Sequence, residues 1–197
     1  MSMRFLTVSA MALALAACSG GTRFEGDLAE QRNCEFDRDA GFVTLAGFDP
    51  TERNPQTNAE QSEAYLDLVR ESACVYETES GLLYRIRRAS QEGASPISGD
   101  LVTVHYRGQH PNGEAFNDSY ALGDPVTFPS DRLIRAWVEA LPMMRVGEEW
   151  ELYVDPALGY GAGGTPGGPI GPNEALIFTL ELLAIPSQDE ETEDEAG

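Results

Sequence analysis

The side chains able to do chemistry in this chain fall into three sets. The first is the thiols Cys18, Cys34 and Cys74, and the second is the imidazoles His105 and His110. The third is aromatic and centres on Trp137, inside the stretch Leu133-Ile134-Arg135-Ala136-Trp137-Val138-Glu139-Ala140-Leu141. A thiol can be acylated, paired with another thiol or bound to a metal. Cys34 and Cys74 have no histidine close by, which makes a metal the weaker alternative to a disulfide. His105 falls within an alternating segment and has an ordinary reading as a strand residue satisfied by hydrogen bonds. His110 adjoins a Pro-Asn-Gly turn and points to no chemistry. The Trp137 stretch carries Leu133, Ile134, Trp137 and Leu141 at helical spacing, with Arg135 and Glu139 on the opposite side. A tryptophan on the buried face of a lone helix either fills a core or floors a pocket.

The elements that must position these residues are legible in order. The chain has 197 residues, 42% of them hydrophobic and 9% aromatic, which is enough for one packed domain with an appendage. A net charge of −20 excludes a nucleic-acid partner, whose phosphates need a basic surface. At the start, Arg4 and the apolar run Phe5 to Leu15 form a secretory signal too short to span a bilayer. It ends in Leu15-Ala16-Ala17-Cys18-Ser19-Gly20, which resembles the lipobox of bacterial lipoproteins. That resemblance implies cleavage after residue 17 and acylation of Cys18, anchoring the chain to a membrane through its N-terminus. Cleavage at the same place without acylation would leave Cys18 a stray thiol. Residues 18–79 read as a tether with some local order followed by one helix, capped by Asn58 and carrying Tyr65, Leu66, Leu68 and Val69. In an oxidising compartment Cys34 and Cys74 are expected to pair and pin the tether to the helix.

From Leu82 onward the pattern alternates, as it does in strands with one face inward. Strands are expected over Leu82–Arg87, Leu101–Arg107, Ala115–Phe116, Val126–Phe128, Trp150–Val154 and Leu176–Leu183, with the Trp137 helix between the fourth and fifth. The fold class is therefore α+β, a curved antiparallel sheet wrapped around one short helix, with a short N-terminal helical extension. A long Gly- and Pro-rich loop, Asp155 to Pro172, separates the last two strands and is of the length usually reserved for function. It lacks the Lys-Ser or Lys-Thr and the following helix of a phosphate cradle, so nucleotide binding is discarded. The tail, residues 188–197, carries six acidic residues and is expected to be disordered.

Several of these segments together resemble the FKBP-type peptidyl-prolyl isomerases. They are Val104-His105-Tyr106-Arg107-Gly108, Phe116, Phe128, Leu133-Ile134 with Trp137, Gly159-Tyr160-Gly161 and Leu176-Ile177-Phe178, in order from about Ser80 to Ile185. The loop Gly167 to Glu174 and the run Trp150 to Val154 are most similar to the bacterial macrophage infectivity potentiator group. The group's long dimerising arm has no counterpart before Ser80, so a monomer is expected. The resemblance implies an isomerase domain over residues 80–187 and a pocket between helix and sheet. Tyr106, Phe116, Phe128, Trp137 and Phe178 would be its walls, with Leu133, Ile134 and Ile170 on the rim. The Ile134 amide and Tyr160 hydroxyl would be donors to substrate carbonyls. No cofactor or metal is implied.

Where that family has an aspartate after the Phe116 position, this chain has Asn117 followed by Asp118. An amide brings no negative charge, so either turnover is weakened or Asp118 substitutes after a one-residue shift. Arg132 and Arg135 flank the rim and either favour acidic substrate flanks or form a solvated face. The expected function is acceleration of X–Pro rotation in exported polypeptides, at the periplasmic face of a bacterial envelope, most simply on the outer membrane. The alternative is a proline-peptide binding chaperone with little turnover.

Overall fold

The computed structural model describes residues 27–38 and 41–186; the signal segment, Cys18 and the acidic tail lie outside them. The elements are α1 (Leu28–Arg32), α2 (Pro55–Arg70), β1 (Tyr76–Glu77), β2 (Leu83–Arg88), β3 (Leu101–Gln109), β4 (Ala115–Asp118), α3 (Ser119–Leu122), β5 (Val126–Pro129), α4 (Arg135–Ala140), β6 (Glu149–Val154) and β7 (Leu176–Ala184). The seven strands make one antiparallel sheet in the order β1-β2-β6-β7-β3-β4, with β5 pairing the first half of β3 and β4 its second half. This is the expected α+β architecture, and the sheet begins earlier than the alternation suggests, at β1 before Ser80.

The period-two pattern decides what each face does. Leu82, Tyr84, Ile86, Val102, Val104, Trp150, Leu152, Leu176, Phe178, Leu180 and Leu182 turn toward α4 and build the main core with Ala136, Trp137, Ala140 and Leu141. α4 starts two residues later than the apolar pattern suggests, because Ile134 is extended (φ −60°, ψ 150°) and takes the capping position. The chain then continues past α4 as a 3-10 turn through Met143.

The other face was expected to be wet, and it is not. α2 lays Tyr65, Leu66 and Val69 against Leu83, Tyr153 and Ile177 in a second core, with Phe42, Val43 and Leu45 at its edge. Beside it, the outer-face Arg85 and Glu151 are ion-paired at 2.7 Å, with side chains 8% and 0% exposed. Arg87 joins Glu151 at 2.5 Å. The Tyr153 hydroxyl donates to the same carboxylate. The Phe36 ring lies 4.8 Å below the Arg85 guanidinium. The described residues of the N-terminal segment are thus a cover rather than a tether. Arg32 of α1 is fixed to buried Glu148 at 2.6 Å, and Cys34 is disulfide-bonded to Cys74 across 40 residues.

The cap of α2 also differs from expectation. Asn54 accepts from the amides of Gln56 and Thr57, and Pro55 takes the first helical position, where its missing N–H costs nothing. Asn58 lies one turn further in, fully buried, and its side-chain amide reaches instead to a distant loop.

Candidate active site

α4, β3, β5, β7 and the loop after β6 enclose a cavity of about 250 Å³ lined by Tyr106, Phe128, Leu133, Ile134, Trp137, Tyr160 and Phe178. That is below the usual range for drug-sized ligands and suits one small ring with its flanks. Each element supplies its side chain for a local reason. Tyr106 and Phe178 are inward-facing positions of paired strands. Phe128 sits on β5 opposite Val102. Trp137 is one turn inside α4, 4% exposed, at the centre of a ring cage. Its centroid lies 5.1 Å from Tyr106 and 5.5 Å from Phe178, both edge-on. The Trp137 Nε1 is buried without a hydrogen-bond acceptor among the described residues, so the indole presents itself to the cavity as an apolar platform.

Of the residues expected in the pocket, three stand elsewhere. Phe116 lies behind the wall: its ring meets Phe178 edge-on at 6.0 Å and His110 at 5.2 Å. Gly108 makes room for it, since a Cβ there would fall 2.5 Å from the Phe116 ring. Ile170, expected on the rim, is 3% exposed and belongs to the core. Asn117 is exposed on β4, in register with Gly108, and does not line the cavity. Nor does Asp118 take the place of an acid there. It caps α3 by accepting from Tyr120 and Ala121, and it pairs with Arg107 at 2.7 Å. Partial burial raises the pKa of Asp118, but the Ala121 amide, Arg107 and the Tyr120 amide outweigh that and hold the carboxyl below the usual range. The lining therefore contains no charged group, and Arg132 beside it is 80% exposed.

The polar groups at the cavity are neutral: the Ile134 amide and the Tyr160 and Tyr106 phenols. As the residue before the first helical turn, Ile134 has an amide that no intrahelical carbonyl satisfies. Tyr160 is 38% exposed, and its hydroxyl has no hydrogen-bond partner among the described residues. Burial, with Tyr106 nearby, pushes the Tyr160 phenol above its ordinary pKa, and burial does the same to Tyr106. Both are therefore protonated donors at any ordinary pH. Among the described residues no cluster of His, Cys, Asp or Glu is arranged to hold a metal ion.

One pair went unrecognised in the sequence. His110, buried in the hairpin turn before β4, is hydrogen-bonded through Nδ1 to buried Glu174, whose other oxygen accepts from the Gly171 amide. No local pattern announces a contact across 64 residues. His105 has the ordinary role expected of it, bonded to Ser119 at 2.9 Å.

Residues 93–183, which carry the whole cavity lining, match the family profile described as FKBP-type peptidyl-prolyl cis-trans isomerase. The chain is 46% identical over 128 residues to the peptidyl-prolyl cis-trans isomerase Mip of Coxiella burnetii, covering 65% of this chain and 55% of that protein. It is 34% identical over 164 residues to the outer membrane protein MIP of Legionella longbeachae, covering 83% and 63%. The crystal structure of FkpA from Escherichia coli superposes with a TM-score of 0.62 at 32% identity, over 66% of this chain and 60% of that one. The chain thus spans a little over half the length of these relatives. An uncharged aromatic cavity between one short helix and a six-strand path, and this concordance along the same residues, have one reading: the domain over residues 93–183 belongs to the FKBP-type peptidyl-prolyl cis-trans isomerase family.

Proposed function

We propose that the protein is a peptidyl-prolyl cis-trans isomerase acting on X–Pro bonds of exported polypeptides. The observation that carries this is a cavity walled by five aromatic rings, free of charge, with the half-exposed Tyr160 phenol available as a donor. Rotation about the amide must cross about 18–20 kcal/mol, because it breaks resonance between nitrogen and carbonyl, and no covalent bond is exchanged. The twisted amide is less polar than the planar one, so removal from water favours it. Trp137 supports the proline ring, Phe128, Tyr106 and Phe178 exclude water around it, and the Ile134 amide and Tyr160 hydroxyl hold flanking carbonyls in the rotated geometry. Asn117 stands outside the lining and need not carry charge for this to work. The test is the cis-to-trans rate of a short proline peptide, with and without protein. The expected result is acceleration well beyond the uncatalysed phase of 10–100 s, and binding without acceleration would favour the chaperone reading.

The same proposal places the protein, as a monomer, at the periplasmic face of a bacterial envelope, anchored through acylated Cys18, and most simply on the outer membrane. The lipobox-like segment supports this, as does the Cys34–Cys74 disulfide, which needs an oxidising compartment. Among the described residues no helix is long and apolar enough to cross a membrane. Replacing Cys18 by serine is expected to move the protein from the membrane fraction to the soluble one.

A further inference from the structure

The loop Asp155 to Ala175 is folded on itself by backbone hydrogen bonds, among them Gly159 to Asp155 just before Tyr160 and Thr165 to Ile170. It is rich in glycine and proline, and between it and the middle of α2 lies an open groove of about 670 Å³ rather than packed side chains. Polar contacts from Arg53 and the N-terminal half of α2 tie the loop to the rest of the protein. The Asn58 side-chain amide donates to the Pro172 carbonyl at 2.9 Å. The Ser62 hydroxyl donates to the Asn173 carbonyl at 3.0 Å and accepts from the Ala175 amide at 2.7 Å. Asn173 returns its side chain to the Pro55 carbonyl at 3.1 Å. Arg53, exposed, reaches the Gly168 and Pro169 carbonyls at 3.3–3.4 Å. Asn58 and Ser62 are 0% and 2% exposed, so these bonds form away from water, where leaving a partner unmet is costly.

One link leads straight to the site. The Asn173 amide donates to the Gly161 carbonyl at 3.0 Å, and Gly161 follows Tyr160. Two hydrogen bonds therefore connect Ser62 to the residue beside the pocket's hydroxyl donor. We infer that Ser62, with Asn58, is a positioning residue for Tyr160, so that the N-terminal helix is a working part of the active site. This rests on the isomerase reading proposed above. A displaced hydroxyl loses the hydrogen bond it would make in the rotated state, while the aromatic walls, which are carried on the sheet and α4, stay in place.

The test is a double-mutant cycle on kcat/KM of the full chain, with Ser62→Ala made in the wild-type and Tyr160→Phe backgrounds, and folding followed by near-ultraviolet circular dichroism. Ser62→Ala is expected to lower kcat/KM about three- to fivefold, bounded by what one neutral hydrogen bond contributes. In the Tyr160→Phe background the same change is expected to cost almost nothing. Equal fold-losses in both backgrounds, or no loss in folded protein, overturn the positioning role. Should Ser62→Ala not fold, Arg53→Ala takes its place, since Arg53 is exposed and touches only the loop's carbonyls; a smaller loss confined to the Tyr160 background is expected, and equal losses again overturn the inference. A wild-type protein without any rate enhancement would defeat the isomerase reading itself, a result separate from either.

Discussion

The two faces of the sheet solve opposite problems with the same strands. The inner face, around Trp137, holds no charged group at the cavity, and the donors it offers are the Ile134 amide and neutral phenols. The outer face buries charge: Glu151, fully inaccessible, receives Arg85, Arg87 and the Tyr153 hydroxyl, while α2 with Phe42, Val43 and Leu45 packs on the same face and the Phe36 ring lies against Arg85. A buried charge near the cavity would draw water and favour the polar planar amide. On the outer face the same charges are paired within the sheet, and Arg87 also donates to the Arg38 carbonyl of the N-terminal cover.

That contrast can be broken from either side. Trp137→Ala should have the largest effect, because it removes the cavity floor and a core side chain together. A loss of about 3–5 kcal/mol in unfolding free energy is expected, with proline-peptide binding abolished in whatever folds, as urea melts and titration calorimetry can check. Glu151→Ala strands Arg85 and should cost a comparable 3–5 kcal/mol. Here, however, kcat/KM per folded molecule is expected to stay near wild type. A drop in turnover matching that of Trp137→Ala would erase the distinction between the faces.

Reducing Cys34–Cys74 should come next. Closing a loop of this size is worth about 2–4 kcal/mol in the unfolded chain, and the loss should appear in melts with and without reductant. Free thiols in protein isolated from the envelope would contradict the pairing. The smallest effect is expected from Tyr160→Phe, about 1 kcal/mol in kcat/KM. The pH profile sharpens it. Tyr160 has its pKa raised by burial, so its donor is present at all pH values below the ordinary phenol range and is lost only above about pH 10. Wild-type rates should therefore fall there toward those of the Phe variant, in which the step that remains belongs to Tyr106.

The legible part of this molecule was the part written in short periods. Leu176, Phe178, Leu180 and Leu182 announce an inward strand face, and Trp137 with Leu141 announces α4, because each residue's partner face is implied by its own spacing. Arg85 and Glu151 carry the same alternation but read as solvent-facing, since a one-dimensional pattern cannot tell an ion pair sealed under α2 from two charges in water. Asn58 has the residue type of a cap, but its use, a bond to Pro172, depends on a residue 114 positions away. His110 meets Glu174 across 64 positions in the chain, which no local pattern encodes. In the site, Tyr106, Phe128, Leu133, Ile134, Trp137, Tyr160 and Phe178 line one cavity. Phe116 and Ile170 serve one layer deeper, a matter of ring packing that residue type does not encode.

The two tryptophans of this chain sit in places that make them optically distinct. Trp150 is sealed in the core, stacked on Tyr84 at 4.7 Å with its indole N–H held by Glu148, whereas Trp137 floors the open cavity. A proline peptide entering the cavity changes the surroundings of one emitter and leaves the other untouched, while denaturation exposes both. The protein therefore carries its own fluorescence gauge: a Trp150→Phe variant should report occupancy under native conditions and unfolding in denaturant, and a Trp137→Phe variant unfolding alone, without any attached dye.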